Sequence, residues 1–172
     1  PANFVLIAYI ELTLISLLLL PLLAFVAMGC SDDEPQDIEA SDISGTWYLT
    51  NIRGWEYDED SKDGKSNFNE SFNFNSVGIP VGVNKEEAQK ISFSDVSNTT
   101  LSVTNFYWGF NESIRDWEWF ADETGTVTLQ GNQLIYGTMR VTITKLSSTE
   151  MTTYQKDEDG ETYVTYTRLA IG

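Results

Sequence analysis

The chain of 172 residues is strongly acidic, because 26 Asp and Glu residues against 10 Lys and Arg residues give a formal net charge of −16. A surface of this sign repels nucleic acid phosphates, so nucleic acid is not expected as a partner. The sequence has no histidine and one cysteine, which removes the commonest general base and zinc ligand and any disulfide within the chain. We therefore expect a protein that is not an enzyme and that uses no cofactor.

The N-terminal segment has the pattern of a secretory signal. From Leu12 to Gly29 no residue is charged, and this apolar run ends in small residues, the single cysteine and an acidic stretch. We predict that residues 1–29 are a signal peptide and that the mature chain begins at Cys30.

Two features of this segment differ from a typical signal peptide. Glu11 interrupts the early apolar residues, and no Lys or Arg occurs before Arg53. We expect the missing basic residues to lie upstream of Pro1. The alternative is an uncleaved membrane helix, which Pro21 in the middle of the apolar run disfavours.

The segment Ala27-Met28-Gly29-Cys30 resembles the lipobox of bacterial lipoproteins, although Ala27 replaces the usual leucine. The resemblance implies that Cys30 carries the lipid and anchors the chain to a membrane, since each buried methylene contributes about 0.8 kcal/mol. Ser31 and the acids that follow resemble the export signal of Bacteroidetes lipoproteins, which implies an outer-membrane protein that faces the cell surface. The alternative is an acidic spacer that carries no export signal.

A short tether and one domain follow the predicted lipidation site. Residues 30–42 are acidic, contain Pro35 and show no apolar period, so we predict a disordered tether. The remaining residues, 43–172, are long enough for one domain with its own core.

The residue pattern of the domain is typical of β-strands, because Thr, Val, Tyr, Trp and Phe recur in short runs between Gly, Asn, Asp and Ser clusters. Met139, Val141 and Ile143 alternate with polar residues, as do Leu101 and Val103, which predicts strands with one buried face. Short connections between such strands favour an antiparallel meander that closes into a barrel, since closure removes exposed edges. The predicted strands are 46–53, 90–95, 100–108, 116–121, 126–130, 133–137, 139–145, 149–156 and 162–169.

The connections include three specific predictions. Asp159-Gly160 predicts a primed hairpin turn with positive φ at the glycine, and Glu123-Thr124-Gly125 predicts a tight turn between two strands. Residues 85–90 are predicted to form a single helical turn. The long stretch 55–84 is predicted to be an irregular loop, and the sequence leaves open whether this loop caps the barrel.

The start and end of the domain resemble lipocalins. Ser44-Gly45-Thr46-Trp47 is similar to the Gly-x-Trp motif that opens those domains, and Arg168 lies on the last predicted strand. Residues 141–151 are similar to a late hairpin of lipocalin-like lipoproteins of Bacteroidetes. The resemblance implies an all-β, up-and-down, lipocalin-like barrel of about eight strands, in which Arg168 stacks on Trp47 beside Gly45 at the barrel floor.

Two groups of acidic residues are weak candidates for chemistry. Asp116 and Glu118 share one face of a predicted strand, but a solvated outer face explains them better than a catalytic pair does. Glu59, Asp63 and Glu70 fall near the first, fifth and twelfth places of a calcium loop, although a flexible acidic loop is the alternative. We expect no metal.

The aromatic content suggests a binding role, since the chain has 5 Trp, 8 Tyr and 9 Phe. We expect non-enzymatic binding of a small apolar molecule in the barrel. The alternatives are a glycan-binding accessory lipoprotein and a structural or protein-binding surface lipoprotein, and the oligomeric state is left open. The residues predicted to line the ligand site are Phe106, Trp108, Trp117, Trp119 and Tyr136.

Overall fold

The computed structural model describes residues 38–169, in which a short helix precedes a series of β-strands. No helix within this range is long and apolar enough to cross a membrane. The elements are α1 (Ala40–Ile43), β1 (Gly45–Tyr57), β2 (Lys65–Ser71), β3 (Asn73–Phe74), β4 (Pro80–Val81), a 3₁₀ turn (Lys85–Glu87), β5 (Gln89–Ser97), β6 (Thr100–Asn111), β7 (Asp116–Gln130), β8 (Gln133–Tyr136), β9 (Met139–Leu146), β10 (Glu150–Lys156) and β11 (Gly160–Thr167).

Eight of the strands in residues 38–169 close into an antiparallel barrel. The sheet order is β11-β10-β9-β8-β7-β6-β5-β1-β2, and β1 also pairs with β11. Strands that follow one another from β5 to β11 are neighbours, which is the up-and-down topology. The fold class predicted from the sequence, an all-β antiparallel barrel, is confirmed.

The first strand is shared between the barrel and a hairpin that extends beyond it. Gly45–Tyr48 pairs with β5, whereas Asn51–Tyr57 pairs with β2 on the same side. The stretch 55–84, predicted to be an irregular loop, therefore contains the end of β1 together with β2, β3 and β4. The prediction failed because the polar sequence of β2 is poor in the β-branched and aromatic residues that signal a strand.

The strand β7 runs without interruption through the turn predicted at Glu123-Thr124-Gly125. Thr104 pairs with Thr124, but Phe106 pairs with Ala121, so β7 holds one more residue than β6 at this point. A β-bulge takes up one extra residue and bends the strand without ending the ladder. The prediction of two strands here was wrong, because the irregularity is a bulge at residues 122–123 and Gly125 keeps a regular partner, Val103.

The barrel interior is filled by alternate residues of its strands, as the period-two patterns predicted. Leu101 and Val103 of β6 are buried, and so is Ile143 of β9. The buried cluster comprises Ala40, Ile43, Trp47, Phe93, Leu101, Val103, Val127, Leu129, Leu134, Ile143 and Met151.

The helix α1 lies in the region that the sequence assigned to a disordered tether. Ala40 is 1% exposed and Ile43 is 0% exposed, and both belong to the barrel core. The backbone amide of Glu39 donates to the Asp42 carboxylate (3.0 Å) in a capping box. The assignment of residues 38–42 to the tether was therefore wrong. Single apolar residues among acids form no periodic pattern in the sequence, and their burial depends on contacts with strands far along the chain.

The connection between β10 and β11 also differs from its prediction. Asp157 accepts hydrogen bonds from the amides of Asp159 (3.0 Å) and Gly160 (2.9 Å), and Gly160 is not among the glycines with positive φ. A Cβ atom at position 160 would meet the carbonyl oxygen of Trp55 on β1. The glycine permits a close approach of two strands and does not form a primed turn.

Candidate ligand-binding cavity

A cavity of about 240 Å³ lies inside the barrel. Its wall is mostly apolar, and four of its residues are exposed to solvent: Asn105, Glu123, Tyr136 and Met139. We describe these four residues as the mouth. The lining residues are Ile91, Phe93, Val103, Asn105, Glu123, Gly125, Val127, Leu134, Tyr136, Met139, Val141, Met151, Thr153 and Tyr166.

Gly125, which follows the bulge in β7, provides space for Tyr136 in the cavity wall. Gly125 lies opposite Val103 and belongs to the wall. A Cβ atom on Gly125 would lie 2.8 Å from the Cε2 atom of Tyr136, so the missing side chain provides the space for the tyrosine ring. The ring then packs across the wall with its hydroxyl directed to Glu123.

Polar groups are few in the wall, and one of them is charged. Among the described lining residues, Glu123 is the single ionisable carboxylate, and no Lys or Arg belongs to the wall. The hydroxyl of Tyr136 donates to Oε1 of Glu123 at 2.9 Å. This hydrogen bond and the negative charge of Glu123 raise the pKa of Tyr136. The pair is therefore a phenol that donates to a carboxylate.

Tyr166 places a second phenol in the wall, on β11. Burial raises the pKa of Tyr166 to about 12. The hydroxyl is therefore neutral at physiological pH and retains its proton for donation. Sequence reasoning missed this residue, because a tyrosine near the end of the last strand gives no sign of which way its side chain points.

Of the five aromatic residues predicted to line the ligand site, Tyr136 belongs to the cavity wall. Alternation along β6 puts Asn105 inside, so Phe106 and Trp108 lie on the outer face. Trp119 and Trp117 on β7 pair directly with Trp108 and Phe110 of β6, and they share that outer face. Consecutive aromatic residues cannot all enter a barrel, and alternation alone does not say which face of an aromatic strand is the interior.

These outer aromatic residues form a cluster beneath β3. The ring of Phe74 lies 5.1 Å from that of Tyr48 and 6.3 Å from that of Trp119, and Trp119 is 5.2 Å from Trp108. The Nε1 atom of Trp119 donates to the carbonyl oxygen of Gly78 at 3.1 Å. The segment between β2 and the 3₁₀ turn therefore covers an outer wall of the barrel at this cluster.

Lys90 lies inside the outer cluster and was not identified from the sequence. Its Nζ atom is 4.6 Å from the ring centroid of Trp119 and 4.9 Å from that of Phe106. Burial lowers the pKa of Lys90, whereas the two ring faces favour the cation. The ammonium group is on the opposite side of the sheet from the cavity.

The predicted floor residues meet at the end of the barrel where α1 packs. The Arg168 Cζ atom lies 4.1 Å from the Trp47 ring centroid, and Arg168 Nη2 donates to the carbonyl oxygens of Asp42 (2.7 Å) and Ser44 (2.6 Å). Burial lowers the pKa of Arg168, while the nearby Asp42 raises it. Gly45 lies beside the guanidinium group, so the structure contains the arrangement that the resemblance implied.

The indole of this stack is itself held in place. Trp47 is 0% exposed, and its Nε1 atom donates to the carbonyl oxygen of Ile43 at 2.6 Å. The helix α1 thus provides carbonyl acceptors for both partners of the stack. The stack and its hydrogen bonds connect α1, β1 and the end of the chain, which fits a packing role for the pair.

The acidic candidates do not form a site. Asp116 accepts from the Trp117 amide (2.8 Å), and Glu118 accepts from the side-chain amide of Asn111. Hydrogen bonds, first from Ser61, lower the pKa of the exposed Asp63.

The predicted calcium loop is not assembled either. Glu59 and Asp63 lie in the β1–β2 connection, whereas Glu70 lies within β2 opposite Ile52. Within residues 38–169 no three or more Cys, Asp or Glu side chains are grouped to hold a metal ion. The strand pairing of β2 keeps the twelfth place of the predicted loop away from the first and fifth.

Comparison with solved structures gives ten matching chains, of which two are described below. No family model matches the chain, and no curated protein matches it. A redesigned β-barrel is 17% identical, with a TM-score of 0.40 over 75% of this chain and 93% of that chain. The siderocalin Ex-FABP, whose structure is described in terms of dual ligand specificities, is 8% identical, with a TM-score of 0.42 over 74% of each chain.

Proposed function

We propose that this protein binds a small, predominantly apolar molecule inside its barrel. The cavity of about 240 Å³ with its mostly apolar wall is the observation that carries the proposal. An engineered apolar cavity of about 150 Å³ is large enough for benzene, and typical ligand pockets begin at about 300 Å³. The volume therefore suits a ligand of one or two rings, or a short chain.

The proposed role is binding without catalysis. The wall offers one carboxylate, Glu123, which already accepts a hydrogen bond from Tyr136. General acid–base chemistry on a sugar or ester needs a second group that acts on the opposite side of the reacting bond. Among the described lining residues, the remaining polar side chains are an amide, a threonine and a second phenol.

We also propose that the chain is a lipoprotein of lipocalin-like type, anchored through Cys30 in the outer membrane and facing the cell surface. Support comes from the sequence, in which an uncharged run ends at Gly29-Cys30 and an acidic stretch follows. Residues 1–37, including Cys30, lie outside the described residues. In this arrangement the barrel would present its mouth to molecules outside the cell.

Naphthalene, a neutral apolar probe of two rings, tests the binding proposal by calorimetric titration. Val103 lines the cavity, so Val103→Trp fills it and should weaken naphthalene binding at least tenfold. Val141→Phe fills the cavity from β9 and should give the same result if Val103→Trp fails to fold. The matched control is Val96→Trp on an exposed position (65% exposed), which should leave the affinity within twofold.

Two outcomes would contradict the binding proposal. One is that the natural chain binds neither naphthalene nor a neutral probe of smaller size. The other is that both cavity-filling variants fold and bind as the natural chain does. Binding of oligosaccharides in place of naphthalene would instead support the alternative role of a glycan-binding accessory.

A further inference from the structure

We propose that the ligand of the barrel cavity is a small apolar amine, whose ammonium group binds to the carboxylate of Glu123. This inference rests on the proposed function, and it specifies the polar end of the ligand. It follows from the charge of the wall, from the hydrogen bond that orients the carboxylate, and from the positions of the neighbouring cations.

The charge of the wall selects against anionic ligands. Glu123 is the one charged side chain among the described lining residues, and the chain as a whole carries a net charge of −16. A fatty acid or another carboxylate would bring a second negative charge to the mouth without a cation to pair with it. An ammonium group would instead form a charge-assisted hydrogen bond, about twice as strong as a neutral one.

The carboxylate is oriented and has capacity for another donor. Tyr136 donates to Oε1 of Glu123, which fixes the side chain at the cavity wall and leaves Oε2 free of hydrogen bonds within residues 38–169. A carboxylate accepts about four hydrogen bonds at its two oxygens. An ammonium group at the mouth has three protons to donate, and the side-chain oxygen of Asn105 in the same wall is a further acceptor.

Two basic side chains on strands of the cavity wall, Lys90 of β5 and Arg140 of β9, are turned away from the cavity. Lys90 lies in the outer aromatic cluster, with its Nζ atom over Trp119 and Phe106. Arg140 lies between Met139 and Val141, both of which point inward, so alternation directs Arg140 outward. The negative charge of Glu123 is therefore available to the ligand.

Three ligands of similar size and different charge test the inference by calorimetry at physiological salt: 2-phenylethylamine, 2-phenylethanol and phenylacetate. All three have a single ring and a short polar arm, which suits a cavity of about 240 Å³. We expect the amine to bind at least tenfold more tightly than the alcohol, and the carboxylate to bind more weakly than either.

Variants separate the contact from the general negative field of the protein. Glu123→Gln should reduce amine affinity at least tenfold, to the level of the alcohol, and should reduce affinity for the alcohol much less. The matched control is Asp122→Asn, which removes a negative charge at the neighbouring position. Asp122 does not line the cavity, so this variant should change amine affinity less than twofold.

The outcomes distinguish this inference from the proposed function. If the alcohol binds and the amine has no advantage, or if Glu123→Gln leaves the amine advantage intact, the amine assignment is overturned and the cavity remains a binding site. Tightest binding of phenylacetate would also overturn it. If none of the three ligands and no neutral probe binds, the proposed function itself fails.

Discussion

At the scale of single residues, Tyr166 combines a buried phenol with a place in the cavity wall. Desolvation disfavours the phenolate, and burial is the cause that raises the pKa of Tyr166 to about 12 from the ordinary 10.0. The side chain therefore stays protonated in the folded protein at pH values where an unfolded tyrosine ionises. The stability of the fold should consequently depend on pH in the alkaline range.

We predict that Tyr166→Phe removes a part of the alkaline destabilisation of the protein. The folded-state pKa is raised, so the stabilisation is complete below pH 10 and is lost as the pH rises from about 10 to about 12. A shift of about two pKa units corresponds to about 3 kcal/mol. Urea unfolding of both proteins between pH 8 and pH 12 should show the natural chain losing about 2 kcal/mol more stability than the variant by pH 12.

The control for this prediction is Tyr57→Phe, since Tyr57 is largely exposed in the β1–β2 hairpin. Removal of this exposed hydroxyl should change the free energy of unfolding at pH 8 by about 0.5 kcal/mol or less. If the free energies of unfolding of the natural chain and Tyr166→Phe run parallel up to pH 12, the phenol is not buried as described.

At the scale of elements, α1, β1 and the end of the chain form one structural unit at the barrel floor. The helix offers the carbonyl oxygens of Asp42 and Ile43, the strand offers Trp47, and Arg168 follows β11. An arginine over an indole adds about 0.5–2 kcal/mol of cation–π attraction, with the larger values for desolvated pairs. The unit therefore joins the first and last strands of the barrel at its closed end.

We predict that Trp47→Ala lowers the free energy of unfolding by about 3–5 kcal/mol, because it leaves a cavity in the core and unpairs the guanidinium group. Chemical denaturation measures this change. Tyr57→Ala, on an exposed position of the same strand, should change stability by about 0.5 kcal/mol or less. Stability equal to that of the natural chain in Trp47→Ala would contradict the assignment of the floor.

The bulged strand β7 is the element that most affects the candidate site. It brings Glu123, Gly125 and Val127 into the cavity wall, and its first half carries Trp117 and Trp119 on the outer face. A residue inserted into one strand of a pair accentuates the local twist and redirects side chains. The bulge in β7 therefore places Glu123 in the cavity wall, while Trp117 and Trp119 remain in the outer aromatic cluster.

At the scale of the whole molecule, an acidic barrel is proposed to be held at a membrane by lipid and not by its own surface. A net charge of −16 repels anionic headgroups. Acyl chains overcome this repulsion, because each buried methylene contributes about 0.8 kcal/mol and two or more chains give stable anchoring. The thioether at Cys30 would be the sole link of the domain to the bilayer.

We predict that the natural chain fractionates with membranes and that Cys30→Ser does not. Intact-mass measurement of membrane-extracted protein should show a chain that begins at Cys30 with a lipid adduct. Ser31→Ala, which changes the next residue and keeps the cysteine, should retain the adduct. A mature protein that keeps residues before Cys30, or an unmodified thiol, would contradict the lipoprotein proposal.

The sequence by itself determined the barrel and its floor, because both depend on local regularities. Period-two alternation correctly assigned Leu101 of β6 and Ile143 of β9 to the interior, and short polar connections implied neighbouring antiparallel strands. The Gly45-Thr46-Trp47 motif and Arg168 lie near the two ends of the domain, where a closed meander brings the first and last strands together.

Only the tertiary structure decided which residues form the cavity. Alternation fixes which side chains share a face, but the sequence does not say which face of an aromatic strand is the interior, and here a distant segment around Phe74 covers the other face. Glu123 lies in the cavity wall because of a bulge whose sequence resembles a turn. Ile43 belongs to the core although it directly follows an acidic stretch. These outcomes depend on contacts between residues far apart in the chain, which local patterns do not encode.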